Sequence, residues 1–248
     1  MKKILCCTLI IGVCAIVAES HAQTVQPEVD GQPDGKMSTV VVADIKDRDM
    51  MKYSDAFSQM TAFKKLPDTD KIYLRFFVEL KKNSPKKMSD IVVTLDSENL
   101  HTPILLETDG TLQIPFSVDA NAESADINTN QGGSTIKIYY GPGIKVPEGT
   151  TFKYRDIMDG VKQSTSMMKS FWNFLFPSFK GAGLRYANAN GQYLTIHASG
   201  GDEKIDIDPV KKSIPVEFDP VLYRENPTVI VSERPEKILP FNVRPSKF

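Results

Sequence analysis

The spacing of apolar residues changes period along this chain. From Ile72 to Lys81, Ile72, Leu74, Phe76, Val78 and Leu80 alternate with Tyr73, Arg75, Phe77, Glu79 and Lys81. A period of two marks a strand with one face turned to a core. Just upstream, Tyr53, Phe57, Met60 and Phe63 recur at intervals of four and three, which is one face of a helix. Asp49 is placed to cap that helix, and Pro67 stands beyond its end. Further strands are predicted at 90–95, 103–108, 111–118 and 135–140. Asp109-Gly110 lies between the middle two as a tight-hairpin signal, because Gly accepts positive φ without steric cost. A second apolar stripe (Ile157, Val161, Met168, Phe171, Trp172, Leu175) predicts a helix over 154–176, closed by Pro177. Strands follow at 184–187, 193–197, 204–208, 214–218 and 228–231, with Asn190-Gly191 as a second hairpin signal. The predicted fold class is α+β and mostly β. It has two related units, each one helix followed by about five short antiparallel strands, sandwich-like, with the apolar sheet face covered. The predicted core is Leu74, Phe76, Val78, Leu112, Ile114, Phe116, Leu194, Ile196, Ile214, Val216 and Phe218.

The two halves also echo each other in sequence. Residues 111–119 and 211–219 both read Ile-Pro-apolar-x-apolar-Asp at an offset of 100. Pro67 with Leu74-Arg75-Phe76 answers Pro177 with Leu184-Arg185-Tyr186. Residues 91–95 answer 192–196, with Thr94 matching Thr195. Residues 135–138 answer 228–231. The offset varies from 93 to 110 while the order is kept, as length changes in surface loops would produce. A tandem duplication is expected, with units at 48–150 and 151–248. Ile114 and Ile214 should then hold matching strand positions, as should Leu74 and Leu184. Pro115 and Pro215 cannot donate to a ladder, so each should mark a sheet edge or a bulge.

Residues 1–22 have the plan of a cleaved secretory signal peptide: Lys2-Lys3, an apolar run from Ile4 to Ala18, and small residues Ser20 and Ala22 before a cleavage site at Gln23. A lipid anchor on Cys14 is disfavoured because Val13, which is not small, precedes it. The expected location is the periplasm. All three cysteines lie in the leader, so the mature chain has no disulfide, thiolate nucleophile or Cys-ligated zinc. Residues 23–47, with Pro27, Gly31, Pro33 and Gly35, read as a flexible tether. Removing Lys2, Lys3 and Glu19 from 30 basic and 31 acidic residues leaves a formal charge of −2. That balance gives no pull toward nucleic acid or an anionic membrane. No later apolar run reaches the length of a membrane span, so a soluble product is expected.

Candidate chemistry is sparse. The mature chain keeps two histidines, His101 and His197. It has no Gly-x-Ser-x-Gly elbow, and neither His has a second ligand at metal spacing, so both read as strand or loop residues. Asp202, Glu203, Asp206 and Asp208 suggest calcium by composition but lack the EF-hand spacing, and Ile205 and Ile207 explain them as the outer face of a strand. Gly141-Pro142-Gly143 reads as a turn. No cofactor and no metal are expected. The densest aromatic run, Phe171, Trp172, Phe174, Phe176 and Phe179, exceeds what one helix face needs. It is the candidate ligand or partner contact, weighed against simple packing between the halves.

Certain residues in order carry a resemblance. They are Tyr53-Ser54-Asp55-Ala56-Phe57, then Phe76-Phe77-Val78, then Glu107-x-Asp109-Gly110-x-Leu112-x-Ile114-Pro115-Phe116. Phe176-Pro177-Ser178-Phe179-Lys180-Gly181 and Asn226-Pro227-x-Val229-Ile230-Val231-Ser232 follow. Over about residues 50–242 the chain resembles an uncharacterised family of exported proteobacterial proteins that carries a domain of unknown function. The resemblance implies export and no known catalytic residue. The expectation is an exported, soluble, non-enzymatic cell-envelope protein, a binding or assembly factor whose partner is an unknown protein, peptide or lipid-like ligand. The alternative is a periplasmic hydrolase acting on envelope sugars or peptides. A converged His-carboxylate set in a deep pocket would favour the hydrolase, and a shallow, aromatic-lined groove between the halves would favour binding.

Overall fold

The computed structural model describes residues 49–81, 87–131, 135–171 and 177–242. The tether and the leader lie outside them. The first half runs β1 (Asp49–Lys52), α1 (Tyr53–Lys64), β2 (Ile72–Leu80), β3 (Val93–Asp96), β4 (His101–Ile104), β5 (Thr111–Leu112), α2 (Val118–Ala122), β6 (Asp126–Thr129) and β7 (Ile136–Ile144). The second runs β8 (Thr151–Lys153), α3 (Tyr154–Phe171), β9 (Gly181–Arg185), β10 (Tyr193–Ala198), β11 (Gly201–Asp206), β12 (Ser213–Glu217), α4 (Pro220–Glu225), β13 (Thr228–Val231) and β14 (Lys237–Phe241). Apart from a 3-10 turn at Met88–Asp90, the element order of the first half is that of the second.

Three antiparallel sheets result. Two have four strands, ordered β1-β6-β3-β4 and β8-β13-β10-β11. The third has six, ordered β5-β2-β7-β14-β9-β12, so three strands of one half meet three of the other. The halves join where β7 pairs with β14 at Ile144 and Ile238. The fold is therefore α+β, mostly β and antiparallel. Even-numbered residues of β2 enter the core: Ile72 joins a cluster with Ile144, Ile157, Leu184, Leu194 and Ile238, and Phe76 joins a second with Tyr53, Leu95, Leu112 and Ile127. Leu74 packs against both. Both four-stranded sheets thus cover the same side of the central sheet.

Each half is tied by one tyrosine at the first position of its long helix. Tyr53 and Tyr154 are essentially without exposed surface. The Tyr53 hydroxyl donates to the Pro115 carbonyl at 2.7 Å and accepts from the Ser117 N–H at 2.7 Å. Its backbone N–H donates to the Ala125 carbonyl at 2.9 Å. Tyr154 repeats this: its hydroxyl donates to the Glu217 carbonyl at 2.5 Å and accepts from the Asp219 N–H at 2.9 Å, and its N–H donates to the Pro227 carbonyl at 3.0 Å. Each tyrosine therefore holds both flanks of the short helix in its own half. Those helices are short enough to need such help. Ser117 caps α2 by accepting from the Ala120 N–H, and Asp219 caps α4 by accepting from the Val221 and Leu222 N–H groups. Burial pushes the Tyr154 hydroxyl up to about 12, so it remains a donor at any physiological pH.

Several expectations are corrected. Asp49 lies in β1 and does not cap α1, whose N-cap is Lys52. The second helix is described from Tyr154 to Phe171, and its expected continuation over 172–176 lies outside the described residues. β1, β8, α2, α4 and β14 are additional elements. β14 carries Pro240 inside a central sheet, where Pro is unusual, but close to the strand end. Gly110 takes φ 84° in the expected turn, whereas Asn190-Gly191 links strands of different sheets and makes no hairpin. The Ile-Pro echo is out of step by two residues. Ile214 pairs with Leu184 in β12, but the partner of Phe76 is Leu112, and Ile114 lies past the end of β5. Residues 135–138 and 228–231 fall in different sheets. Pro215 does sit in an edge strand, while Pro115 lies in no strand. Phe116 is 44% exposed, stacked on Phe57 at 4.7 Å with the Lys64 ammonium over its ring. Its replacement by Ala is therefore expected to cost less than a core Phe would.

Two stability outcomes follow. Tyr53→Phe and Tyr154→Phe should each lower unfolding free energy by about 1–3 kcal/mol in urea titrations, since each strands a carbonyl and an N–H. A loss below about 0.5 kcal/mol would show the tie to be dispensable. Gly160 lies inside α3, where Ala normally adds about 1 kcal/mol. Here a Cβ would stand 2.6 Å from Ile144 Cγ2 in the core. Overpacking of that kind costs about 1–3 kcal/mol, so Gly160→Ala should destabilise on balance.

Candidate functional site

With the core on one side of the central sheet, odd-numbered residues of its strands occupy the other. A cleft of about 930 Å³ opens there and draws on both halves. The first half supplies Arg75 from β2 and the turn from Leu106 to Asp109. The second supplies Arg185 at the end of β9, Lys211 and Lys212 from the approach to β12, and Lys237 and Leu239 from β14. Five cationic side chains line it (Arg75, Arg185, Lys211, Lys212, Lys237) against three carboxylates (Glu107, Asp109, Glu236).

The wall from the first half is neutralised by ion pairs within the cleft. Lys237 reaches across the seam to Glu107, to Asp109 at 3.0 Å and to Thr111 Oγ1 at 3.3 Å. Arg75 donates from Nε to Thr111 Oγ1 at 2.8 Å and from Nη2 to Asp109 at 3.3 Å, and its guanidinium lies over the Phe77 ring. Asp109 also accepts the Thr111 N–H at 3.0 Å, which fixes the turn. Burial raises the Asp109 carboxyl, but the Lys237 ammonium and the Thr111 N–H outweigh it and hold it below the ordinary carboxylate range. Burial lowers Lys237, and its two carboxylates more than restore it, so its net displacement is upward.

The opposite wall differs. Arg185 Nη1 donates to the Lys211 carbonyl at 3.0 Å, and Lys212 Nζ to the Ala187 carbonyl at 2.9 Å. These neutral acceptors position the two cations without offsetting their charge. Lys211 pairs with Asp208 at 3.3 Å.

The residues singled out from the sequence lie elsewhere. Phe171 and Phe179 are half-buried and pack on the core cluster around α3, with Phe171 against Tyr140 at 6.2 Å. Trp172, Phe174 and Phe176 lie outside the described residues. Each histidine does have a carboxylate, across a strand pair. His101 Nδ1 is 2.5 Å from Asp96, and His197 Nδ1 is 2.8 Å from Asp202. Both pairs sit on four-stranded sheets and neither lines the cleft. Asp206 pairs with Lys204 at 3.0 Å, and among the described residues no group of three potential metal ligands converges. The cleft escaped sequence analysis because its members are spread from residue 75 to 239 as ordinary surface charges. The one local hint was Asp109-Gly110, which marks the turn but not what it touches.

Among the described residues no helix is long and apolar enough to cross a membrane. No family model, curated protein or solved structure matches the chain.

The ion pairs across the seam have a defined pH response. The Asp109 carboxyl is depressed in the folded state, so its contribution is present above its ordinary value of about 3.9 and lost as pH falls through and below it. Lys237 is raised, so its contribution is present below about 10.4 and lost as pH rises beyond it. Lys237→Met should lower the urea midpoint at pH 7 and shrink the drop in midpoint between pH 7 and pH 3. An unchanged pH 7-to-3 drop would show that the network does not couple the halves.

Proposed function

We propose that this chain is an exported, soluble, non-enzymatic cell-envelope protein that binds its partner or ligand in the cleft on the open side of the central sheet. We further propose that its two halves derive from one duplicated unit. The observation that carries the first proposal is the cleft itself: it straddles the seam, and one wall presents Arg185 and Lys212, whose side-chain acceptors among the described residues are backbone carbonyls. The two His-carboxylate pairs lie away from it, which weighs against a hydrolase built on either. The leader-like residues 1–22 and the resemblance to an uncharacterised exported family support the location.

The duplication is supported by the shared element order, by the matching orders of the four-stranded sheets and by the paired tyrosine ties. Finer correspondences agree. Val93 and Leu95 pair with Thr129 and Ile127 as Leu194 and Ile196 pair with Val231 and Val229. Ser124 and Asn226, each just after a short helix, have φ of 55° and 56°. Asp96 opposite His101 is answered by His197 opposite Asp202, the same cross-strand slot with its two residues exchanged.

A photo-cross-linking amino acid at Thr108, on the cleft rim, should give a discrete adduct in cells, recovered from the periplasmic fraction on a chain beginning at Gln23. The same probe at Val92, exposed just before β3 and away from the cleft, should give none. Equal adducts at both sites would defeat the cleft as the binding site, and an uncleaved cytoplasmic product would defeat export.

A further inference from the structure

We infer that the second-half wall of the cleft is an oxyanion site, in which Arg185 and Lys212 receive a carboxylate or phosphate group of the ligand. This rests on the cleft being the binding site. Three observations converge on it. First, Arg185 is paired directly with Lys237 across adjacent strands on the same side of the sheet. Side chains so placed have Cβ atoms about 4.5–5.5 Å apart, and like charges there are unfavourable. Lys237 is relieved by Glu107 and Asp109, while the side-chain acceptor of Arg185 among the described residues is the neutral Lys211 carbonyl. An anion seated at Arg185 would remove the remaining repulsion.

Second, Lys212 holds φ 49°, the left-handed region that a residue with a Cβ occupies at a cost of about 1–2 kcal/mol. Its carbonyl accepts from the Tyr186 N–H at 3.1 Å. The corresponding turn of the first half has Gly110 at φ 84°, with its carbonyl accepting from the Val78 N–H at 2.8 Å. Where one turn uses Gly, the other keeps a strained lysine, and strain retained beside a cleft points to a use for its side chain. Third, Arg185 has five N–H donors in a planar fork and commits one to a carbonyl, which leaves an edge suited to bidentate contact with an oxyanion.

The test is a titration of the mature chain, residues 23–248, with sodium phosphate and separately with citrate, followed by amide chemical shifts at constant ionic strength. Glucose is the neutral control. Both anions should move the amides of Arg185, Ala187 and Lys212 in a saturable way, and glucose should not. A preference for one anion identifies phosphate or carboxylate as the natural group. Arg185→Gln should weaken the response at least tenfold. Lys212→Asn, which tolerates positive φ, should weaken it severalfold while raising stability or leaving it unchanged. Lys204→Gln, on β11 away from the cleft, should have no effect. Non-saturable shifts scattered over surface lysines would mean an adventitious ion only and would overturn the site, as would full binding by folded Arg185→Gln. If Thr108 still cross-links in either case, the cleft stands as the binding site and only its oxyanion chemistry fails.

Discussion

A buried tyrosine hydroxyl that both donates and accepts is the contact on which each half of this molecule depends. Tyr53 and Tyr154 stand at the start of the long helices, and each reaches more than sixty residues ahead to the chain that enters the short helix. The backbone N–H of the same residue fastens the chain that leaves it. One side chain thus satisfies two main-chain groups that would otherwise be lost from water, and unpaired groups of that kind are costly. The phenol ring adds apolar burial at the same point. The consequence is geometric. With α2 and α4 pinned, β5 and β12 are held at the two edges of the central sheet, and β6 and β13 are started in register within the smaller sheets.

From that constraint the one-sided architecture follows. Both four-stranded sheets and both long helices pack on the same side of the six-stranded sheet, with Leu74 touching each core cluster. The other side is free to carry charge. Gly141 and Gly143 of β7 leave room there, and the Tyr73 ring lies where a Cβ on Gly143 would stand, 2.3 Å away. Lys237 then ties the rim turn of the first half to the second half, so the cleft belongs to the join and to neither half alone.

The parts of this fold legible in the sequence were those with strong local periodicity. The alternation in β2 named the buried residues Phe76 and Val78, and the stripe in α3 named Ile157 and Val161. Leu194, Ile196, Ile214 and Val216 were likewise buried as their alternation predicts. What failed was short or long-range. β8 has three residues, too few to show a period. β14 holds two apolar residues before a proline and reads as a loop. The tyrosine ties span separations of 62 to 65 residues, and nothing local announces them. Phe116 was misplaced because the alternation of 112, 114 and 116 continues past the point where β5 ends, and alternation alone does not say where a strand stops. The cleft was invisible for the same reason as the ties, since it is assembled from turns and strand ends distant in sequence.

Under the proposed duplication, the distribution of differences between the halves becomes informative. Core pairings and cap geometries match closely, and the His-Asp slot is filled by the same two residue types in exchanged order. Copies that differ by such an exchange keep the cross-strand interaction while losing sequence likeness. The open side shows no such economy. Gly110 of one half faces Lys212 of the other in the matching turn, and Phe77, which stacks on Tyr139 at 5.7 Å, is answered at the matching strand position by the exposed Arg185. Packing forces tie the copies together wherever two sheets must fit, because a change on one side requires a change on the other. A surface facing solvent carries no such penalty, so it is free to diverge. Divergence concentrated at Arg185 and Lys212, with one of them in a backbone conformation better suited to glycine, is hard to attribute to folding. It is the pattern expected when one half has kept the structural version of a turn and the other has given it a charge to present.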